Sequence, residues 1–513
     1  FNPEFGGDAS NEVVSVTLLE GSAEVFGAPL AENRPYHWAH GAKTAIFTWY
    51  GCRLRVRGLA EGSVAYVAEE TPMVSYVNTH AQLEARRDRA AAAAALAATA
   101  RAAAPAGDAD GTSGGAAAPD HPAPIDDACQ GPRVMIVGGA DSGKSSLASV
   151  LAAYAVRLGR SPMMVDLDAS MSSLSLPGTV AAAPLDAHSL SVDEGFGLVQ
   201  PLIYWTGSTN PSEDSEIFRT QLNRLALAIE RRLAVDATVA SSGLVVDTGG
   251  WMDSGGYDLL LAAAEALRID VVLVMAHDRL YQQLKSSLAK APKALGGEVT
   301  VIKLPRSGGV VSRDAAARSR IFRRRIRDYF YGATLPPSPL LKEEQEQEWQ
   351  AAAGGERTRE AMPPPAPLAP CQLHVALDRT KMWRFRGKGI ASSGLLPVTG
   401  ELAGLDPSAL ERVEPSSELM HAVVAVLHHP PGLGPINSRA EDGGVPDGED
   451  EREQQQREED RRDADALSRM NVAGFIVVQE INEEAGSMTV LAPCPGRLPS
   501  YHLVQSTGIQ WME

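Results

Sequence analysis

Residues Gly138 to Ser145 read Gly-Gly-Ala-Asp-Ser-Gly-Lys-Ser, the spacing Gly-x-x-x-x-Gly-Lys-Ser/Thr of a phosphate-binding loop. Each residue type has a task in that chemistry. Gly138 and Gly143 let backbone N–H groups converge on phosphate oxygens, and the helix starting there adds partial positive charge. Lys144 neutralises the β- and γ-phosphates, and the Ser145 hydroxyl completes the shell of a Mg2+ ion. The run Val134-Met135-Ile136-Val137 before the loop reads as a buried strand, and Leu147 to Tyr154 after it is apolar at helical spacing. Strand, glycine turn and helix start are what the motif requires, so the loop predicts a nucleoside triphosphate site.

Such a site needs a carboxylate at a neighbouring strand end, to hold the metal's water or orient the nucleophile. Asp168 ends Met163-Met-Val-Asp-Leu-Asp168, and Asp247 ends Gly243-Leu-Val-Val-Asp247. Either could instead cap a helix or turn. Asp166 alternates with Asp168 and falls on a strand face, where a structural role is expected. Seven arginines (Arg313, Arg318, Arg320, Arg323, Arg324, Arg325 and Arg327) follow the last sheet strand with only Asp314 opposing them. They read as a solvated helix face, or as a lid in which one or two arginines stabilise charge on a transferring phosphoryl group. Trp251, after Thr248-Gly-Gly, stands at a strand end as a base-stacking platform or as a core side chain.

The elements that must position these residues follow from periodicity. Strands are predicted at 134–137, 163–167, 243–246, 271–275 and 299–304, separated by helical patterns at 215–234 and 257–267. That alternation predicts an α/β fold with a central, mainly parallel P-loop NTPase sheet and its ligand at the carboxyl ends of the strands. Residues 12–77 alternate apolar and polar in short runs, which predicts an N-terminal β-sandwich-like domain over 1–87. A helix from His80 to about Ala103 then fades into an Ala/Gly/Pro linker, over 88–132. The central domain covers 133–335, a low-complexity linker 336–370, and a C-terminal β-rich domain 371–513. Within the last, the acidic and arginine-rich insert 440–465 reads as solvated loop or disorder, and its removal is expected to leave folding and ATP binding intact.

The 513 residues suffice for about three domains, and 44% hydrophobic residues can fill their cores. A formal charge of -17 argues against a basic coat for nonspecific nucleic-acid binding, although a local basic site can sit within an acidic whole. Cys52, Cys129, Cys371 and Cys494 lack metal-ligand spacing and suit free thiols. No apolar run reaches the ~18 residues of a membrane span, so no membrane partner is expected, and no signal-peptide pattern follows Phe1.

Beyond the loop, the chain resembles the eukaryotic polynucleotide 5′-hydroxyl kinase and pre-mRNA cleavage factor family. The resemblance rests on Gly41-Ala-Lys-Thr-Ala-Ile-Phe-Thr-Trp49, Thr71-Pro-Met-Val-Ser-Tyr-Val-Asn-Thr-His80, Tyr154-Ala-Val-Arg-Leu-Gly-Arg160, Pro177-Gly-Thr179 and Gly207-Ser-Thr209. It continues through Gly249-Gly-Trp251, Ser307-Gly-Gly-Val-Val311, Arg325-Ile-Arg-Asp-Tyr-Phe-Tyr-Gly332 and Val472-Ala-Gly-Phe-Ile-Val-Val478. It implies ATP and Mg2+ as ligands, with the loop residues Gly138, Asp141, Ser142, Gly143, Lys144, Ser145 and Ser146 around the phosphates. Asp168 is implied as the catalytic and metal-side aspartate, favoured over Asp247, and Arg313 and Arg318 as lid arginines. Thr209 and Trp251 are implied to contact RNA, and Lys43 the adenine; Glu4 joins Lys43 only across a one-residue deletion. A nuclear location is implied, with RNA bearing a 5′-hydroxyl, other pre-mRNA cleavage factor subunits, and the tRNA-splicing endonuclease as partners.

One departure bears on activity. Kinase-competent relatives follow the aspartate with Val-Gly-Gln-Gly, whereas Asp168 is followed by Ala169-Ser-Met-Ser172. Fungal relatives that hold ATP without transferring it also diverge there. The resemblance therefore leaves two readings open, an RNA 5′-hydroxyl kinase and a catalytically silent ATP-bound scaffold. The loop alone also admits a P-loop ATPase of assembly.

Overall fold

The central sheet is set by runs of side chains with no access to water. Val134, Met135, Ile136 and Val137 are all fully buried, which only a strand covered on both faces allows. Each such side chain contributes roughly 1.5–3 kcal/mol through burial. The computed structural model describes residues 2–3, 13–39, 42–58, 63–103, 126–193, 195–197, 199–290, 298–333, 340–341, 368–387, 408–431 and 449–512.

The sheet has seven strands, in the order Leu202–Trp205, Thr179–Pro184, Met163–Asp166, Leu244–Asp247, Arg133–Val137, Val271–Met275 and Thr300–Leu304. The last five are parallel; Thr179–Pro184 runs antiparallel to both its neighbours. The strand feeding the phosphate loop is therefore near the middle, with the two carboxylate-bearing strands on one side and Val271–Met275 on the other. Alternate side chains serve opposite faces. Met135, Val137, Val165 and Val246 pack with Phe218, Leu222 and Leu225 of helix Ser215–Val235 and with Leu259 and Leu260 of helix Ser254–Ala266. Val134, Ile136, Met164 and Val245 pack with Leu147 and Leu151 of helix Lys144–Arg157 and with Met73, Tyr76 and Leu83 of helix Met73–Ala103.

The latter helix starts before His80 and runs across the expected domain boundary at 87, because Met73, Tyr76 and Leu83 are needed under the sheet. Ahead of it, two three-stranded sheets form: Pro35–Ala39, Val13–Gly21 and Cys52–Arg57, and Ala28–Pro29, Glu24–Val25 and Ile46–Phe47. The second leans on the P-loop helix. Gly27 adopts φ +88°, and a Cβ there would stand 2.8 Å from Ala153 Cβ. Buried Glu24 takes hydrogen bonds from the Tyr154 hydroxyl and from Arg157 Nη1, the latter at 2.6 Å.

After helix Ala315–Tyr331 comes a second seven-stranded sheet, ordered Cys371–Ala376, Ser487–Ala492, Val472–Asn482, Ala422–Leu427, His502–Gln510, Lys381–Phe385 and Leu410–Val413. Its core takes in Ile326 and Phe330 of that helix and Trp205 of the central sheet. The insert departs from the composition-based expectation. Residues 440–448 lie outside the described residues, but Glu449–Ser468 is a helix, and Ala464 and Leu467 are buried in the same core. Two apolar anchors at its end and the Lys381–Asp463 ion pair at 2.5 Å seat an otherwise polar helix.

Candidate functional site

Two positive-φ glycines make the phosphate loop possible. Gly138 sits at φ +156° against Met275 and Ser142, and Gly143 at φ +90° begins the helix Lys144–Arg157. Asp141 is also left-handed, at φ +52°, a conformation that aspartate tolerates better than most residues. A third glycine matters through proximity: a Cβ on Gly250 would fall 2.7 Å from Ala140 N and 2.8 Å from Ala140 Cα. The loop after Leu244–Asp247 thus presses directly on the loop backbone.

Lys144 is 6% exposed and donates to Gly139 O at 2.8 Å. Burial lowers its pKa, while Asp247, Asp168 and Asp141 pull it back upward. An ammonium poised over its own loop, with Asp247, Asp168 and Asp141 acting on it, suits the binding of anionic phosphates.

The three strand-end carboxylates hold different things. Asp166, 1% exposed, is engaged by the loop that follows it: Ser172 Oγ donates at 3.0 Å, Ser173 N at 2.5 Å, Ser173 Oγ at 2.9 Å and Leu174 N at 3.3 Å. That is the structural role expected of it. Asp168 accepts from Ser170 N at 3.1 Å and Ser170 Oγ at 2.6 Å, both at Oδ1. Asp247 lies opposite Asp166 in register on the next parallel strand. Burial pushes its carboxyl up to about 8, Asp166 and then Asp168 add to this, and the Ser145 hydroxyl and Lys144 oppose it. Its Oδ1 is buried without a hydrogen-bond partner, as is Ser142 Oγ in the loop. These orphaned oxygens, the glycine cradle and the exposed Ser145 fit a metal-bound triphosphate.

The lid arginines close on the loop from the other side. Arg318 Nη2 donates to Asp141 Oδ2 at 2.6 Å, Arg313 N donates to the same oxygen at 2.9 Å, and Arg313 Nη1 lies 3.5 Å from Asp141 Oδ1. Sequence reasoning had both arginines and Asp141 in the site but missed that they pair. The spacing of 177 residues between Asp141 and Arg318 gives no local signal.

The remaining expected contacts are less assembled. Trp251 is 8% exposed, with its ring edge-to-face against Phe218 at 5.2 Å; it sits as a core side chain, so stacking a base would require the ring to emerge. Thr209 is half-buried in a turn in which Thr206 Oγ1 donates to Gly178 O at 2.7 Å. That turn follows strand Leu202–Trp205, whose end lies on the same edge of the sheet as Asp166. Lys43 is half-buried in the segment entering Ile46–Phe47, and no hydrogen bond among the described residues ties it to the phosphate loop. Glu4 lies outside the described residues. Ser146 is half-buried in the first turn of the loop helix.

Comparison with known proteins converges on one family. Residues 138–332 match the model of the mRNA cleavage and polyadenylation factor CLP1 P-loop, 6–90 the N-terminal beta-sandwich domain of polyadenylation factor, and 368–513 the pre-mRNA cleavage complex II protein Clp1. The chain is 32% identical over 503 residues to the Protein CLP1 homolog of Aedes aegypti, covering 98% of this chain and 93% of that one. It is 32% identical over 495 residues to the polyribonucleotide 5′-hydroxyl-kinase Clp1 of Bos taurus, covering 96% and 91%. To the mRNA cleavage and polyadenylation factor clp1 of Botryotinia fuckeliana it is 30% identical, covering 96% and 88%. Among solved structures, a wild-type Clp1p–Pcf11p complex superposes with a TM-score of 0.67 at 20% identity, covering 99% of this chain and 95% of that one.

Proposed function

Because the chain belongs to the Clp1 family of pre-mRNA cleavage and polyadenylation factors, we propose that it is an ATP- and Mg2+-binding cleavage-factor subunit that phosphorylates RNA 5′-hydroxyls in the nucleus. One observation carries the reading: a buried lysine, two lid arginines and strand-end carboxylates converge on one glycine loop. Phosphoryl transfer asks mainly for positioning and charge neutralisation, and those are the parts assembled here.

In this reading the loop N–H groups and Lys144 hold the β- and γ-phosphates. Arg313 and Arg318 leave Asp141 for the transferring group, whose negative charge competes for them. Asp168 takes the proton of the RNA 5′-hydroxyl as its oxygen bonds to the γ-phosphorus and the bond to the β,γ-bridging oxygen breaks. Ser145 and a strand-end carboxylate would hold Mg2+, which would supply charge neutralisation to the phosphates. Thr209 and Trp251 border the expected RNA entry. A Pcf11-type cleavage-factor subunit is the proposed protein partner, after the relative solved with one; the tRNA-splicing endonuclease is a further proposed partner.

A second reading has its own support. Ser170, in the segment that departs from kinase-competent relatives, occupies Asp168 Oδ1 twice, and Asp141 occupies both lid arginines. That arrangement suits a silent subunit in which ATP stabilises the fold, contributing about 2.7 kcal/mol at a hundredfold excess over Kd. Transfer of labelled γ-phosphate to 5′-hydroxyl RNA, by wild type against Lys144→Ala and Asp168→Asn, separates them. Label on RNA with wild type alone supports the kinase; no label, with ATP retained after dialysis, supports the scaffold.

A further inference from the structure

Helix Ala315–Tyr331 carries six arginines against one aspartate, in a chain whose formal charge is -17. Of these, Arg318 is the one that pairs with the phosphate loop, alongside Arg313 just ahead of the helix. The helix buries Ile326 and Phe330 in the core of the C-terminal sheet, and Arg325 is half-buried. Arg320, Arg323, Arg324 and Arg327 are all exposed. Their spacing of i, i+3, i+4 and i+7 puts them on one face, roughly opposite Arg318 at ~100° per residue. Local acids do little to neutralise that face. Asp314 caps the helix, its Oδ1 accepting from Ala317 N at 2.6 Å. Asp328 lies 3.5 Å from Arg324, a long contact between partly solvated groups, and pairs of that kind are weak. Arg323 Nη2 donates to the uncharged Ser319 Oγ at 3.2 Å. The stripe therefore keeps its positive charge available to another anion.

We propose that this outer face, through Arg320, Arg323, Arg324 and Arg327, binds the phosphodiester backbone of RNA outside the reaction centre. The guanidinium fork matches phosphate oxygens two at a time. Arg320 to Arg327 covers about 10 Å of helix axis, the rise of about three phosphates along one strand of a duplex. On an acidic protein a single basic stripe also confines a polyanion to one place instead of letting it coat the surface. The helix thus has two working sides, one toward the phosphate loop and one toward the body of a long RNA. The assignment rests on the RNA-processing reading above and holds whether or not phosphate is transferred.

The test is fluorescence anisotropy on the full chain with a non-hydrolysable ATP analogue and 3′-labelled 5′-hydroxyl RNA, about 3 or about 30 nucleotides long, titrated across salt. Wild type is compared with R320Q/R323Q/R324Q and with R320K/R323K/R324K. The glutamine variant should bind the long RNA about tenfold more weakly, its slope of log K on log salt shallower by about 2 to 3. The lysine variant keeps the charge and should keep the slope, and all three proteins should bind the short RNA alike. Should the glutamine variant fold poorly, Arg320→Gln and Arg323→Gln singly are each expected to reduce the slope by about 0.7–0.9. Long-RNA affinity and slope unchanged by the glutamines overturn the proposal, and so does an equal loss on short and long RNA, which would place the stripe at the reaction centre. Polyglutamate binding that depends on these arginines while RNA binding does not assigns the face to an acidic protein instead and overturns it too. Failure of wild type to bind either RNA overturns the RNA reading itself, and this surface with it.

Discussion

Arg318 reaches from the first turns of the lid helix to Asp141 in the phosphate loop, Nη2 to Oδ2 at 2.6 Å. Arg313 closes on the same carboxylate through its backbone N–H and its guanidinium. Asp141 is only 9% exposed at its side chain, against 39% for Arg318 and 35% for Arg313. The acid is therefore the buried partner and the arginines are the more solvated ones. A triphosphate entering the loop would offer these arginines a stronger anion at the same place.

Asp141→Asn keeps the left-handed backbone, which asparagine tolerates, and removes the charge. The expected cost in stability is about 1 kcal/mol, since the pairs are partly solvated. The sharper readout is hydrogen exchange: amides over 307–318 should exchange several-fold faster without nucleotide and regain protection with ATP. Equal exchange in variant and wild type would mean that Asp141 does not hold the lid.

Gly250→Ala addresses the contact between two loops. Its Cβ would enter within 2.7 Å of backbone nitrogen Ala140, and backbone cannot swing aside as a side-chain tip can. The phosphate loop should shift, and a shift of that kind disrupts converging N–H groups. ATP affinity is expected to fall at least ~10-fold, a loss of about 1.4 kcal/mol, with the sheet intact by circular dichroism. Unchanged affinity would show that the loop adapts.

Much of this site was legible because its chemistry is local. Glycine spacing, the lysine and the apolar strand before them lie within a dozen residues, and the strand-end aspartates follow from apolar runs that stop on an acid. What escaped was non-local or compositionally disguised. Strand Thr179–Pro184, Thr-Val-Ala-Ala-Ala-Pro, has little β-propensity and forms because it covers the edge of Met163–Asp166. The edge-to-face contact of Trp251 with Phe218 of helix Ser215–Val235 has no local signal in the sequence. The Asp141 clamp depends on the chain returning after the whole sheet is built.

His502 is expected to make the C-terminal sheet sensitive to acid. It is 0% exposed, Trp383 Nε1 donates to its Nδ1 at 3.4 Å, and Nε2 has no partner. Burial pulls its pKa down to about 4, Asp463 opposes this, and Lys381 and His429 reinforce it. The folded protein thus favours the neutral ring, while the unfolded chain protonates near 6.5. Its contribution is complete above about pH 6.5 and is lost as pH falls toward 4, at up to about 1.4 kcal/mol per unit. Melting temperature should drop between pH 7 and pH 5, and His502→Gln should flatten that slope. Parallel slopes would assign the acid sensitivity to other groups.

The helix Glu449–Ser468 offers the clearest contest between composition and packing. Its residues are overwhelmingly polar, which argues for a solvated segment, yet Leu467 is 0% exposed and Asp463 2%. Leu467 packs into the core shared by Phe330, Trp383 and Phe475, which also holds the lid helix. Leu467→Ala should cost about 2–5 kcal/mol, as core truncations do. Exposed Arg462, five residues earlier, should tolerate alanine within about 0.5 kcal/mol. Because the lid helix shares that core, Leu467→Ala should also loosen exchange protection over 315–331, whereas Arg462→Ala should not. Equal melting temperatures for the two variants would return the segment to the solvated role that its composition suggests.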